Sequence, residues 1–323
     1  SIVTELMQLP ASLTMDDALA LYAADPNVEF AMPNVRFGVQ MSFSEKVTQW
    51  WNGDKTQVLP SDGQASPNPS ASPDASNANE NNDVKETLSD PPASTSSGTD
   101  PLSDQQWYLP RMEMQSVWDE YGTGTSGVTV AVLDTGVDYT HPDLAGRVIK
   151  GADYVDKDYD PLDEHGHGTH VAGIIAAGLN NAVGVAGVAP DVRILAVRVL
   201  DANGSGNLFN IAKGIAYAAN QGAKVINLSL GSPPGGAVMR SLANFLARYA
   251  SHKGALIVAA AGNSAGPIGY PAAASHFLSV GALNEDNYLA SFSNRGEELD
   301  IVAPGVNIMS TFPTYEVTDN ALG

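Results

Sequence analysis

The chain has 323 residues, with 36 acidic and 16 basic side chains, and its formal net charge is -20. This acidic balance argues against nucleic acid as a partner, because its phosphate groups would repel the chain, and it favours solubility. The sequence contains no cysteine and no apolar run long enough to cross a bilayer, so it predicts neither a disulfide framework nor a membrane span.

The first forty residues are predicted to form a small α+β module, residues 1–40. Thr14 to Ala24 predicts a helix, because an N-cap threonine and two acidic residues precede apolar residues at helical spacing. A turn of Asp-Pro-Asn follows, and Val28 to Phe37 is expected to be extended chain.

Residues 41–99 are predicted to be a disordered linker. Ser, Asn, Pro and Asp fill most of its C-terminal part, where the only large apolar residues are Val84 and Leu88. Such a composition cannot bury enough apolar surface to offset the entropy lost on ordering. Trp50 and Trp51 do not fit this pattern, and the sequence leaves their role open.

The first strongly apolar run is Val128 to Asp134, with the sequence VTVAVLD. It predicts a parallel strand that is buried on both faces. An acid at the carboxyl end of such a strand faces the crevice where α/β sheets bind ligands. An isolated aspartate would more often cap a turn, but a histidine cluster follows about one crossover unit later.

That cluster is Glu164 to Gly173, with the sequence EHGHGTHVAG. The run from Val171 onward is small and apolar, which predicts a helix packed closely against the sheet. His167 is therefore expected near a helix N-terminus, where the macrodipole disfavours the imidazolium and keeps the ring available as a general base. Such a base needs a carboxylate to orient it and a nucleophile to deprotonate.

Residues 100–323 are predicted to form the third domain. Its strand and helix patterns alternate, which predicts a three-layer α/β fold with a mostly parallel sheet. The further predicted strands are Val192–Leu200, Lys224–Leu230, Ala255–Ala261, Phe277–Leu283 and Leu299–Val302, and the further predicted helices are Leu208–Asn220 and Leu242–Ala250. The strand that ends at Ala261 leads into Gly262-Asn263. An amide at this position can donate to a developing oxyanion, and glycine lets substrate backbone approach closely, although a simple turn would explain the same pair.

Three motifs together resemble the subtilisin-like serine proteases, the subtilase family. VAVLDTGVDYTHPDL resembles the family's aspartate motif, HGHGTHVAG its histidine motif and AAAGN its oxyanion motif, in the family's order. The resemblance implies a serine endopeptidase in which Asp134 orients the histidine, His167 is the base, and Asn263 donates to the oxyanion. It also implies a secreted or cell-surface protein.

The nucleophile that this resemblance implies is a serine in a Gly-Thr-Ser-Met-Ala type of motif, and no such run occurs in the sequence. In the family the motif follows, after a short loop, a segment that resembles Ala303 to Pro313. Ser310 and Ser264 belong to other family segments and are not its replacement. We therefore expect the sequence to be an internal piece of a longer precursor, inactive alone, that holds the aspartate and histidine of an Asp-His-Ser triad.

The same resemblance implies an inhibitor and a substrate cleft. DDALALYAADPNVEFAMPN within residues 1–40 resembles the C-terminal half of the family's propeptide, which assists folding and whose tail occupies the cleft as an intramolecular inhibitor. The cleft would bind polypeptide as an added strand, and cleavage in the exposed linker would release the inhibitor. The implied substrate-binding residues are Gly204, Ser205 and Gly206 on one rim, Ser229, Leu230 and Gly231 on the other, and Gly262.

A structural Ca²⁺ is also implied by the resemblance. Its ligands would be Asp143, Leu179, Asn181, Val183 and Val185, which supply one carboxylate, one amide oxygen and three backbone carbonyls. A side chain from the arm at residues 100–106 can complete the shell. Gly178 is an extra residue relative to the commonest form of this loop, which leaves the register of the ligands open.

Other classes of protein fit parts of the sequence. Zinc in a metallohydrolase could be ligated by His165, His167 and His170, with Asp163 and Glu164 beside them, although no second cluster of ligands follows. Asp134-Thr135-Gly136 matches an aspartic protease signature, but that chemistry needs a second such motif, which the sequence lacks. The chain could also be a catalytically inactive binding module of the subtilase type.

Overall fold

The computed structural model describes residues 36–39, 98–233, 235 and 237–317. The predicted helix at Thr14–Ala24 and nearly all of the predicted linker lie outside these residues. Gly98 already pairs with Asn181 in the body of the molecule, close to the predicted start of the third domain at residue 100. Among the described residues, no helix combines the length and apolarity that a membrane crossing requires.

The described residues contain ten strands and five α-helices. The strands are β1 (Arg36–Val39), β2 (Thr129–Asp134), β3 (Val148–Asp153), β4 (Arg193–Arg198), β5 (Ser205–Asn207), β6 (Val225–Leu228), β7 (Leu230–Gly231), β8 (Leu256–Ala260), β9 (Phe277–Leu283) and β10 (Ile301–Pro304). The helices are α1 (Tyr108–Arg111), α2 (Met114–Tyr121), α3 (His167–Ala176), α4 (Leu208–Asn220) and α5 (Ala237–His252).

A seven-stranded sheet forms the middle layer, in the order β10-β9-β8-β6-β2-β4-β3. All of its neighbouring strands run parallel. Alternate side chains of β2 enter two different cores. Ala131 and Leu133 pack in the cluster that contains α4 and α5, whereas Val130 and Val132 pack in the cluster that contains α3. The predicted three-layer α/β fold with a mostly parallel sheet is confirmed.

The alternation along β2 also positions its last residue. Side chains two residues apart in a strand lie on the same face, so Asp134 follows Val130 and Val132 toward α3. The residue beside it on β4 is Arg198, which is in register with Asp134. The carboxyl ends of β2 and β4 therefore bring charged side chains to the edge of the sheet where α3 begins.

Several element bounds differ from the prediction. The predicted strand at Lys224–Leu230 is two strands, because β6 ends at Leu228 and β7 joins a second, three-stranded sheet in the order β5-β1-β7. Helix α5 is longer than the predicted Leu242–Ala250. Strand β3 was not predicted, because its sequence VIKGAD places a lysine and a glycine where an apolar alternation would continue.

Candidate active site

The end of β2 and the start of α3 bring Asp134 and His167 into direct contact. Asp134 Oδ1 lies 2.6 Å from His167 Nδ1, and both side chains are completely buried. A carboxylate at this distance requires the proton to be on Nδ1, which leaves the lone pair on Nε2. His167 Nε2 has no hydrogen-bond partner among the described residues. The ring is thus oriented and its second nitrogen can accept a proton.

Asp163 fixes this geometry, a role that the sequence analysis did not predict for it. Its Oδ1 accepts hydrogen bonds from the backbone N–H groups of His165 and Gly166 and from the hydroxyl of Thr135. Its Oδ2 accepts from the N–H and hydroxyl of Thr169. This buried carboxylate therefore caps the first turn of α3 and ties it to the residue after Asp134. A capping carboxylate four residues before the base was the available sequence signal.

Thr135 links the same two elements from the other side. Its N–H donates to Asp134 Oδ1 at 2.7 Å, and its hydroxyl accepts the N–H of Gly168 at 3.0 Å. A Cβ on Gly168 would collide with the carbonyl of Gly136. Gly136 has a φ of 111°, and a Cβ there would collide with the carbonyl of Leu162. Glycine is therefore needed at both positions for the close approach that brings the acid and the base together.

The other two histidines of the cluster have separate surroundings. The His165 ring lies edge-on to His167, with ring centroids 6.3 Å apart, and burial together with the neighbouring His167 lowers its pKa. His170 Nε2 lies 3.0 Å from the carbonyl oxygen of Ile308, and burial lowers the pKa of His170 to about 3. Within the described ranges, no three side chains of His, Cys, Asp or Glu are arranged to share a metal ion. The zinc hypothesis is not favoured.

A cavity of about 330 Å³ lies beside His167. Ser229, Gly262 and Asn263 also line it, so the ends of β6 and β8 meet α3 there. Gly262 has a φ of 108°, a conformation that side chains rarely adopt. The structure therefore brings the predicted oxyanion donor and the predicted base to one cavity, at the carboxyl end of the parallel sheet.

The two predicted substrate rims form the small second sheet, and a strand of this chain already lies between them. Strand β1 is antiparallel to β5, with Phe37 opposite Gly206, and antiparallel to β7, with Gly38 opposite Gly231. Phe37 is 3% exposed and belongs to the apolar cluster that contains α4, β7 and α5. A Cβ on Gly206 would collide with the carbonyl of Val199, so the rim requires glycine there.

Comparison with known proteins identifies the family. A family model described as the subtilase family matches residues 125–322, which is more than half of the chain. The chain belongs to the subtilase family.

Three similar relatives of this subtilase carry protease names. This chain is 56% identical to the thermophilic serine proteinase of Bacillus sp. (strain AK1) over 195 residues. The matched region covers 60% of this chain and 47% of that protein. The chain is 46% identical over 217 residues to thermitase of Thermoactinomyces vulgaris, covering 67% of this chain and 76% of thermitase. It is 50% identical over 208 residues to Subtilisin Savinase of Lederbergia lenta, covering 64% and 74%. The chain spans about half the length of the thermophilic proteinase that it matches.

The predicted calcium loop of this subtilase is built around one buried carboxylate, that of Asp143. Asp143 Oδ1 accepts from the N–H of Gly178 and from Asn181 Nδ2, and its Oδ2 accepts from the N–H of Val185. Burial, and to a lesser extent the neighbouring charge of Asp100, raises the pKa of Asp143 to about 6. A Cβ on Gly178 would displace the Asn181 amide group that donates to Asp143.

The N-terminal arm supplies a second buried carboxylate to the same loop. Asp100 is 3% exposed, and its two oxygens accept the N–H groups of Asn180 and Asn181, each at 2.8 Å. Burial raises the pKa of Asp100 as well. Asp100 was expected only as one of several arm residues, because nothing in the sequence shows which of them reaches a loop 80 residues away.

Proposed function

We propose that the complete protein is a serine endopeptidase with an Asp-His-Ser triad, of which this chain supplies Asp134 and His167. The observation that carries the proposal is the 2.6 Å contact between these two buried side chains. Membership of the subtilase family and the protease names of the similar proteins support it. An inactive binding module is not favoured by the same relatives.

The proposed reaction passes through an acyl-enzyme, and His167 accepts and then donates a proton in each half of it. A serine hydroxyl attacks the peptide carbonyl carbon, and its proton passes to His167 Nε2 while Asp134 stabilises the imidazolium. The side chain of Asn263 donates to the oxyanion. The imidazolium then protonates the leaving amine, and water releases the acyl group by the same route. The serine lies in a motif absent from these residues, and the cavity beside His167 is where we expect it to dock.

The proposal is tested by His167→Ala in the complete enzyme. Turnover of a peptide substrate should fall by roughly six powers of ten, which is the scale known for loss of the catalytic histidine in subtilisin itself. His252→Ala, an exposed residue at the end of α5, is the matched control and should keep full activity. Inhibition by a serine-directed phosphonate but not by a zinc chelator should accompany this result. Normal turnover of the His167 variant would refute the proposal.

We further propose that residues 1–40 are an inhibitory propeptide and that the protein is a secreted or cell-surface zymogen. The position of β1 supports this, because the strand occupies both rims at which a substrate backbone would pair. A blocked cleft would protect the cell that makes the protein. Detection of mature enzyme outside the cell, with an N-terminus in the predicted linker, is the test.

A structural Ca²⁺ held by Asp143, Asp100, Asn181 and the backbone carbonyls of Leu179, Val183 and Val185 is also proposed. The donors fit a hard cation, since two buried carboxylates whose charges disfavour one another converge on a loop rich in carbonyl oxygens. The ion would neutralise these charges and stabilise the docking of the arm. Polypeptides are the proposed substrates, and nucleic acid is not a proposed partner.

A further inference from the structure

We propose that Asn294 is a positioning residue for catalysis, because it clamps both sides of the turn that carries Asn263. The inference rests on the proposed function, in which the Asn263 side chain donates to the oxyanion. Asn294 lies between β9 and β10, far from the turn in sequence, and it is 3% exposed.

The first half of the clamp holds the chain after Asn263. Asn294 Oδ1 accepts the N–H of Ser264 at 2.9 Å, the hydroxyl of Ser264 at 3.0 Å and the N–H of Gly266 at 3.1 Å. Three donors therefore converge on one amide oxygen, and they fix the direction in which the chain leaves the turn.

The second half of the clamp holds the chain before Asn263. Asn294 Nδ2 donates to the carbonyl of Ala261 at 3.0 Å, and its backbone N–H donates to the carbonyl of Gly262 at 2.8 Å. One buried residue thus bonds to the backbone on both sides of Asn263. A donor must be held in place before the oxyanion forms if it is to stabilise the transition state without reorganisation.

The contacts require an amide rather than another polar group. An aspartate would keep the acceptor but lose the Nδ2 donor to Ala261, and it would add a negative charge beside the turn that faces a developing oxyanion. Alanine would remove all four side-chain bonds. Neighbouring backbone bonds would remain in that variant, from Ala265 N–H to Phe292 O and from Arg295 N–H to Gly266 O, so we expect the fold to survive.

The experiment is a double-mutant cycle in the complete enzyme, with kcat and KM measured on one peptide substrate for Asn294→Ala, Asn263→Ala and the double variant. We expect Asn294→Ala to lower kcat about tenfold and to change KM less than twofold, because the clamp acts on a transition-state contact. In the Asn263→Ala background the same change should lower kcat less than twofold. Asn294→Asp should lower kcat more than Asn294→Ala, through its charge.

Two results would contradict the positioning role of Asn294. An unchanged kcat in Asn294→Ala, or an equal loss in both backgrounds, would overturn the inference while leaving Asn263 as the oxyanion donor. An unchanged kcat in Asn263→Ala would instead remove the proposed role of Asn263. Thermal unfolding of each variant separates a loss of fold from a loss of positioning. If Asn294→Ala does not fold, Ser264→Ala removes one bond of the clamp and should lower kcat by a smaller factor; no change there would also overturn it.

Discussion

A single buried carboxylate, that of Asp163, helps to fix the position of His167 relative to Asp134, the two residues on which the proposed chemistry depends. Its five accepted hydrogen bonds come from the start of α3 and from Thr135, directly after β2. Such bonds to an ionised group are stronger than neutral ones. Orientation of the base therefore depends on a residue that does not contact His167 in the chemical step.

Asp143 gives a residue-scale prediction about pH and calcium. Its pKa in the folded protein is about 6, against 3.8 for the unperturbed group, mainly because of burial. The folded state therefore binds more protons than the unfolded state between these values. Without metal, stability should fall as the pH rises from about 4 through about 6, by about 1–3 kcal/mol. Bound Ca²⁺ favours the ionised form, so its stabilising effect should be largest above pH 6.

Thermal unfolding across this pH range, with Ca²⁺ or with a chelator, measures both effects. Asp143→Asn is the matched control, because it keeps the shape of the side chain and removes its titration. The variant should lose the response to calcium. Equal unfolding temperatures of the unchanged protein with and without Ca²⁺ at pH 7 would contradict the calcium proposal.

At the scale of elements, β1 is held between β5 and β7 by two kinds of contact. Phe37 enters the apolar cluster of α4, β7 and α5, while backbone pairing on both sides fixes the strand. Burial of a phenylalanine side chain contributes about 1.5–3 kcal/mol. Pairing of the backbone depends little on sequence, so much of the selectivity of this contact must come from Phe37.

We therefore predict that Phe37→Asp weakens inhibition in the complete precursor. Loss of the apolar contact and burial of a charge should raise the activity of the uncleaved precursor by roughly tenfold or more. Phe37→Leu is the control and should keep the inhibition. Activity toward a peptide substrate is measured while mass spectrometry verifies that the linker is intact. If the uncleaved Phe37→Asp variant is as inactive as the unchanged precursor, β1 does not inhibit through the apolar contact of Phe37.

Some elements of the fold and site could be predicted from the sequence, and others could not. Apolar continuity identified β2, and the small residues after His167 identified α3, because these patterns follow from burial within the same segment. Asn294 escaped prediction because its side-chain partners lie 28 to 33 residues away and no local pattern marks it. Asp163 has a local capping signal, but its bond to Thr135, 28 residues away, could not be predicted from the sequence. The sequence predicted one strand across β6 and β7, because both segments are apolar and the pairing of β7 with β1, which distinguishes them, leaves no local pattern.

At the scale of the whole molecule, the proposed inhibitor strand β1 and the N-terminal arm are docked at the same time in one chain. β1 lies between β5 and β7, while Gly98 pairs with Asn181 and Asp100 accepts the N–H of Asn181 in the proposed calcium loop. Residues 40–97 connect them, and a chain of this length can extend to roughly 190 Å. The linker is long enough to let both segments dock without strain.

This arrangement predicts that cleavage in the linker does not change calcium-dependent stability. We expect a precursor nicked between residues 61 and 97 to unfold at the same temperature as the intact precursor, in Ca²⁺ and in chelator alike, provided that the inhibitor stays bound. The reason is that Asp100 already reaches the loop before any cut is made. Differential scanning calorimetry of both forms at one concentration makes the measurement, with Asp100→Asn as the control that should lose part of the calcium response in both forms. A rise in unfolding temperature on nicking would mean that the arm docks fully only once it is cut free.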